Sequence, residues 1–173
     1  MKYFLLFFFL VNLNFSQTYN QLIEYNTSNG LPSDIIYNVV QDKKGYIWIA
    51  TDNGIVKFNG STLKKFQLEE GLPSNDIFGL SVDSKNRVWL TGYYNGLYYI
   101  ENDKVKKIKG SENINCLEFS YEYNGNEYFK PSQESPWQPS ILVQWDGTRF
   151  TRYGEATTSL YGYVFAMEEY NGF

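Results

Sequence analysis

A segment of about forty residues occurs twice in this chain, and the repeat constrains the fold more than any other feature. Residues 45–54 read GYIWIATDNG, and residues 86–96 read NRVWLTGYYNG. Each copy is a short apolar run centred on Trp, followed by a turn that ends in Gly. Upstream, Gly-Leu-Pro-Ser at 30–33 returns at 71–74 in the same register. An internal repeat of this period predicts a solenoid, an array or a propeller.

The composition favours β structure and excludes several functions. Aromatic residues make up 19% of the chain, and such rings cover pleated sheets well. The net charge of −4 gives no basic footprint for nucleic acid. Histidine is absent and Cys116 is the single cysteine, so the commonest general base, the usual zinc ligands and an internal disulfide are all missing. The sequence therefore predicts no catalytic residue, no metal and no cofactor.

The amino terminus has the outline of a secretory signal peptide. Lys2 precedes a short apolar run, and the small residue Ser16 ends the segment. The run is too short to span a bilayer as a stable helix. We expect residues 1–16 to be removed near Ser16–Gln17 and the mature chain to reach the periplasm or the cell surface.

Four strand-like runs follow one another within the first unit, at 35–40, 46–50, 55–58 and 62–66. Asn59-Gly60 between two of them is a strong hairpin signal. The first run is mostly apolar, which predicts an inner strand buried on both faces, whereas the last is polar. One unit is therefore expected to be a four-stranded antiparallel meander, the blade of a β-propeller.

The repeat divides the rest of the chain in the same way. In the third unit Phe129 stands where Trp was, Asn124-Gly125 forms a turn, and a Pro/Ser loop at 131–140 is inserted. The expected fold is an all-β, partial propeller of about three blades plus the start of a fourth, and the chain is interpreted as the amino-terminal part of something longer. The expected limits are 17–173 for the propeller domain and about 30–68, 71–109, 112–154 and an incomplete 159–173 for its blades.

Six residues are expected to hold the repeat together. The two tryptophans should pack between adjacent blades, because an interior position that recurs is structural. The two aspartates precede tight turns and should accept backbone N–H bonds there. The two glycines end the turn after the Trp strand, and one inserted residue separates their registers. These residues are Asp42, Trp48, Gly54, Asp83, Trp89 and Gly96.

The repeats resemble those of the two-component regulator propeller family. Its pattern, N-x-[IV]-x-x-[IL]-x-x-D-x-x-G-x-[IVL]-W-[IVL]-[AG]-T-x-x-G-[IL]-x-x-[FY], is met almost completely by residues 42–58 and less fully by residues 83–97. Gly-Leu-Pro-Ser ahead of each blade is also typical of this family. The resemblance is strong over about residues 26–108. WD-repeat propellers have a similar period, but their Gly-His and Trp-Asp signatures are absent here.

This resemblance implies the extracytoplasmic sensor half of a bacterial membrane receptor, which binds an extracellular ligand. The output half of such a receptor lies beyond a transmembrane helix and is usually a histidine kinase or a DNA-binding regulator. Neither a transmembrane helix after the signal nor a phospho-acceptor histidine is present in this sequence. The chain itself is therefore expected not to be an enzyme, and a homodimer is compatible with the complete receptor. The alternative is a secreted or surface propeller that acts as a scaffold, an adhesion module or a secretion accessory.

The connections of a meander predict where a ligand would bind. They alternate between the two ends of the blade, so blade-to-blade loops and second-to-third-strand loops share one face. The opposite face receives plainer turns, such as Lys43-Lys44 and Asn59-Gly60. Exposed aromatic and polar side chains on the first face would suit a carbohydrate or a peptide, although ordinary turns remain an alternative. The candidate ligand-binding residues are Asp52, Asn53, Tyr93, Tyr94, Asn95 and Trp137.

Overall fold

The computed structural model describes residues 22–114, 116–131 and 142–153, and within them the chain forms three four-stranded antiparallel sheets. The first sheet contains β1 (Ile36–Gln41), β2 (Ile47–Thr51), β3 (Gly54–Phe58) and β4 (Leu63–Phe66). The second contains β5 (Gly79–Val82), β6 (Val88–Thr91), β7 (Tyr98–Glu101) and β8 (Lys104–Lys107). The third contains β9 (Cys116–Tyr123), β10 (Asn126–Pro131), β11 (Leu142–Trp145) and β12 (Phe150–Tyr153). The predicted all-β meander of blades is confirmed, while the expected start of a fourth blade at 159–173 lies outside the described residues.

The strands of each sheet follow one another in chain order, as short hairpin connections require. In the third sheet Tyr123 pairs with Asn126 around a two-residue turn of Asn124 and Gly125. Both turn residues have positive φ, 49° and 75°, which matches the right-handed twist of the strands. The Asn-Gly turn expected there is confirmed.

The blades pack through their first strands and through two apolar clusters. Strand β5 lies against β1 on one side and against β9 on the other. Trp48 is buried in the cluster between blades one and two, and its ring centroid lies 5.5 Å from that of Phe66. Trp89 is buried in the cluster between blades two and three, 5.1 Å from Phe129. Packing of both tryptophans between blades is confirmed.

Each repeated aspartate binds both its turn and its tryptophan. The Asp42 carboxylate accepts backbone N–H bonds from Lys44 at 2.8 Å and Tyr46 at 3.1 Å, and its other oxygen accepts the Trp48 Nε1–H at 2.9 Å. The Asp83 carboxylate accepts the Trp89 Nε1–H at 3.0 Å in the same way. The turn bonds were expected, but the bond to the indole was not. Its sequence signal is an Asp six residues before Trp in both copies.

Phe129 takes the place of the repeated tryptophan in the third blade. Trp89 pairs with Ser81 across its hairpin, and Phe129 pairs with Ser120. The two serine hydroxyls are hydrogen-bonded to each other across the blade interface. The predicted equivalence of Phe129 and Trp is therefore confirmed by a shared cross-strand partner.

Strand β1 is more exposed than the sequence predicts. Ile36, Tyr37 and Val39 are all exposed to solvent, so the expectation of a strand buried on both faces is wrong. The reason is position, because β1 is the edge strand of its sheet and β5 covers one side of it. Among the described strands, only β2 and β5 make extensive contacts with β1.

Two short 3-10 helices, Thr27–Asn29 and Leu68–Glu70, precede the Gly-Leu-Pro-Ser segments and were not predicted. In the first, the Asn29 side chain accepts the Asn26 backbone N–H at 2.7 Å. In the second, the Glu70 carboxylate accepts the Gln67 backbone N–H at 2.8 Å. Different residues therefore cap the same turn in the two repeats. Because the two copies share no capping residue, the repeat pattern did not predict these helices.

Gly54 and Gly96 occupy the same place in successive blades. Their φ angles are 110° and 101°, and each donates its backbone N–H to the linker that leads into the next blade. The acceptors are the carbonyl oxygens of Asn75 at 2.6 Å and Ile114 at 2.8 Å. The predicted equivalence of these glycines is thus accounted for by a shared hydrogen bond and a backbone conformation that other residues rarely adopt.

Replacing Gly54 by Ala is expected to destabilise the protein strongly. A Cβ at this position would lie 2.5 Å from the Phe66 carbonyl oxygen, in addition to the strain of the positive φ. Gly60 is the matched control, because its φ is 97° but no atom lies within 4 Å of a Cβ there. We expect Gly60→Ala to cost about 1 kcal/mol from backbone strain and Gly54→Ala to cost clearly more. Urea unfolding of both variants measures this, and equal losses would contradict the steric explanation.

Candidate functional site

The turns after the Trp strands and the linkers between blades meet on one face, as the alternation of connections predicts. The Asn53 side-chain amide donates to the Pro32 carbonyl oxygen at 3.1 Å, which joins the β2–β3 turn to the first linker, residues 30–35 ahead of β1. The Thr51 carbonyl oxygen accepts the Ile77 backbone N–H at 3.3 Å, which joins the same turn to the second linker, residues 67–78 between β4 and β5. We call this side of the molecule the linker face.

The predicted ligand-binding residues have different environments on this face. Asp52 is partly buried, and Asn53 and Asn95 are exposed. Tyr93 is the most accessible aromatic residue among them, with 67% of its surface exposed. Trp137 lies outside the described residues.

Tyr94 is buried, contrary to the expectation that the adjacent tyrosines are both exposed. Only 8% of its surface is accessible, and its ring meets the Tyr98 ring edge-on with 5.5 Å between centroids. The ring packs directly on Gly92, where a Cβ would lie 2.7 Å from the Tyr94 Cε1 atom. The glycine therefore makes the room that lets Tyr94 turn into the core while Tyr93 points outwards.

On the linker face the Phe78 ring lies in contact with two other aromatic rings, one from each of two blades. The Phe78 ring lies 4.7 Å from the Tyr37 ring and 4.8 Å from the Tyr93 ring, in the second case edge to face. Tyr37 belongs to β1, Phe78 directly precedes β5, and Tyr93 lies in the β6–β7 turn. We call Tyr37, Phe78 and Tyr93 the inner aromatic cluster, because two of its members come from or adjoin the first strands of their blades.

A β-bulge places Tyr37 in this cluster. Ile36 pairs with Thr51 and Asn38 pairs with Ala50, so Tyr37 is the extra residue with no partner on β2. Bulges bend a strand and re-aim a side chain, and they are frequent beside functional sites. Of these three residues only Tyr93 was predicted from the sequence, although the repeat shift of forty-one residues superimposes Tyr37 on Phe78.

Two carboxylates border the inner aromatic cluster. Asp52 in the β2–β3 turn and Asp76 in the second linker both carry an Oδ1 atom that is buried and has no hydrogen-bond partner among the described residues. The pKa of the Tyr37 hydroxyl is raised above its ordinary value, first by partial burial and then by the negative charges of Asp76 and Asp52. A side-chain hydrogen bond between the Tyr37 hydroxyl and Asp76 adds a smaller upward effect on this pKa.

The opposite face is occupied by contacts between blades. The Lys43 ammonium donates to the Ser84 carbonyl oxygen at 2.7 Å, so this turn is less plain than its sequence predicts. A polar cavity of about 140 Å³ lies in the groove between blades one and two. Beside it the Asp103 carboxylate binds the ammonium groups of Lys57 at 2.7 Å and Lys64 at 3.1 Å. Here one carboxylate is shared between two ammonium groups of the first blade, so the ion pairs join the two blades.

Neither a cluster of metal ligands nor a membrane-spanning helix is found in the described parts of the chain. Nowhere in residues 22–114, 116–131 and 142–153 do three or more His, Cys, Asp or Glu side chains gather as metal ligands would. Within the same ranges no helix has the length and apolar character needed to cross a bilayer.

Antiparallel four-stranded blades, packed side by side through their first strands, define a β-propeller. Residues 30–53 and 71–94 match the family model described as two component regulator propeller. These two segments are repeats of that family, and the resemblance drawn from the sequence is confirmed. No match to the chain was found among curated proteins.

Solved structures share this fold. One is the extracellular domain of BT3049 from B. thetaiotaomicron, described as a hybrid two component system, with 22% identity over 77% of this chain and a TM-score of 0.56. The extracellular domain of BT4673 from the same organism, described in the same way, has 18% identity over 78% of this chain and a TM-score of 0.60. The chain spans 18% of the length of each of these structures.

Proposed function

We propose that this chain is the ligand-sensing propeller portion of a membrane signalling receptor, exported to the periplasm or cell surface. Its output half, a histidine kinase or a DNA-binding regulator, would lie in another part of the complete protein. Three points support the proposal. The repeats are those of the two component regulator propeller. Residues 1–16 have the outline of a signal peptide, and the structural neighbours are described as extracellular domains of two component systems.

The inner aromatic cluster is the observation that carries the proposal of ligand sensing. Exposed aromatic faces next to unpaired polar groups are what small-molecule and peptide sites present. Here the rings of Tyr37, Phe78 and Tyr93 lie beside the carboxylates of Asp52 and Asp76. The ring faces would stack on a carbohydrate or a peptide, and the carboxylates would accept its hydrogen bonds.

The position of the cluster also provides a route for a signal. Tyr37 and Asp52 belong to the first blade, whereas Asp76, Phe78 and Tyr93 belong to the second. A ligand that touches both sets binds best at one particular spacing of the two blades. Such a ligand would shift the receptor towards that arrangement, because a ligand favours the state it binds more tightly.

The double variant Tyr37→Leu with Tyr93→Ala, made in the complete protein, is expected to abolish the response to ligand. Both side chains are exposed, so the fold should survive their loss. Tyr123→Ala is a suitable control, because Tyr123 is exposed at the far end of β9. Signalling output in cells and melting temperature are measured for each variant.

The structure also decides which substitutions are unsuitable for this test. Tyr94→Ala would remove a buried ring and damage the fold, and Lys43→Ala would break a contact with the second blade. A normal response from the double variant would place the ligand elsewhere. A complete protein with no output half and a role in adhesion or secretion would favour the scaffold alternative.

A further inference from the structure

We infer that the inner aromatic cluster and its two carboxylates bind a ligand through an ammonium or guanidinium group. This inference rests on the proposed function, since it names the chemistry of the ligand at the same site. The juxtaposition that carries it is a set of three contacting rings beside two unneutralised carboxylates.

The charge of the site is the first argument. The residues on either side of Asp76 bind the turn that carries Asp52, since Ile77 donates its backbone N–H to the Thr51 carbonyl oxygen and Asn75 accepts that of Gly54. Both carboxylates also raise the pKa of the Tyr37 hydroxyl. In the described ranges, no Lys or Arg forms an ion pair with either aspartate. Asp83, by contrast, forms an ion pair with Arg87. Asp103 forms ion pairs with two lysines of the first blade. A neutral ligand would leave two negative charges together in a partly buried site, whereas a cation would compensate them.

Hydrogen bonding leads to the same conclusion. The buried Oδ1 atoms of Asp52 and Asp76 are acceptors without donors among the described residues. Buried acceptors of this kind are costly to leave unpaired, and an ammonium group offers three donors and no acceptor. A ligand with this group would satisfy both oxygens without bringing a lone pair that itself needs a partner.

The aromatic rings supply the third argument, through a comparison within the molecule. Elsewhere the protein places its own cations on ring faces: Lys57 Nζ lies 4.0 Å from the Tyr46 centroid, and the Arg87 guanidinium lies 4.9 Å from that of Trp89. Within the described residues no such cation lies over the inner aromatic cluster. Ring faces next to carboxylates attract cations electrostatically. The vacant ring faces of this cluster are therefore suited to a cation that comes from the ligand.

The test is a titration of the complete protein with matched probes that differ only in charge. The tripeptide Gly-Lys-Gly, acetylated at its amino terminus and amidated at its carboxyl terminus, is compared with Gly-norleucine-Gly blocked in the same way, and pentylamine is compared with pentanol. We expect both cationic probes to bind, the neutral partners to bind at least tenfold more weakly, and binding to weaken with added salt. Binding of the peptide alone would assign the cationic group to a peptide ligand, and binding of both would assign it to amines in general.

Two variants connect the binding to the site. Asp76→Asn should weaken the cationic probes about tenfold or more, since it removes the charge and keeps the shape. Glu69→Gln removes the same charge from an exposed position of the second 3-10 helix and should change nothing. Circular dichroism melts confirm that each variant is folded.

The possible results separate this inference from the proposed function. Equal binding of cationic and neutral probes, no binding of either cation, or full binding by folded Asp76→Asn would overturn the inference about the ammonium group. Receptor activation by a neutral ligand that is lost in the Tyr37→Leu and Tyr93→Ala double variant would also overturn it, yet would leave ligand sensing at this site intact. Undiminished signalling by that double variant would instead contradict the site itself.

Discussion

Trp89→Ala is expected to lower the free energy of unfolding by about 3–5 kcal/mol, enough to unfold a marginal domain. The Trp89 side chain is 0% exposed, and its ring contacts those of Tyr99 and Phe129 at 5.0 and 5.1 Å. Truncation leaves a cavity between the second and third blades. It also takes the indole donor away from the buried Asp83 carboxylate. Urea unfolding followed by tyrosine fluorescence or circular dichroism measures the loss.

Trp89→Phe separates the hydrogen bond from the cavity. The smaller ring retains most of the packing but donates nothing to Asp83, so we expect a loss of about 1.5–3 kcal/mol, typical of a bond to a charged group. Leu68→Ala is the control, because Leu68 is 54% exposed and should change stability by less than about 0.5 kcal/mol. A Phe variant as stable as the wild type would show that the Asp–Trp bond contributes nothing.

Stability is expected to fall as the pH rises from about 5 to 9, because of Glu127. Only 2% of Glu127 is exposed, and the pKa of its carboxyl group is raised from 4.5 to about 8 by burial first and then by the charge of Asp83. The Arg87 guanidinium acts in the opposite direction, and Glu122 adds a smaller upward effect. In the folded protein Glu127 is therefore protonated at neutral pH, whereas in the unfolded chain it is ionised.

The sign of the pH dependence follows from this difference. Between pH 4.5 and about 8 the folded state holds a proton that the unfolded state has lost, so the free energy of unfolding decreases with rising pH. The stabilisation is complete below about pH 4.5 and is lost as the pH passes 8, a change of several kcal/mol. Glu127→Gln keeps the shape and the neutral state, so its unfolding free energy should lose most of this slope. A wild-type profile that is flat between pH 5 and 9 would contradict the raised pKa.

The meander of the blades could be predicted because its signals are local. Turn residues such as Asn124 and Gly125 determine each hairpin, and the repeat superimposes one blade on the next. Burial of β1 was predicted wrongly, because it depends on what covers the strand and not on the apolar character of the strand itself. The Asp–Trp bond was missed for a similar reason, since a spacing of six residues becomes a contact only when the hairpin folds.

The candidate site could be predicted only in part. The alternation of connections predicted that Asp52 and Tyr93 lie on the linker face, because that argument depends on topology alone. Sequence gave no means of deciding which of two adjacent tyrosines faces inwards, since Gly92 makes room for Tyr94. Tyr37 and Phe78 come together through a bulge and a contact between blades, and neither is visible in a single repeat.

The contacts between successive blades differ in a way that bears on how the chain assembles. Asp103 binds the lysines of the first blade, whereas the second blade meets the third through Ser84 with Glu122 and through Arg87 near Glu127. Repeats with similar sequences risk docking in the wrong order or exchanging between two chains during folding. Distinct polar contacts at each interface give every blade its own neighbour. A blade moved along the chain by genetic rearrangement would therefore retain its meander but lose its match to the blades beside it.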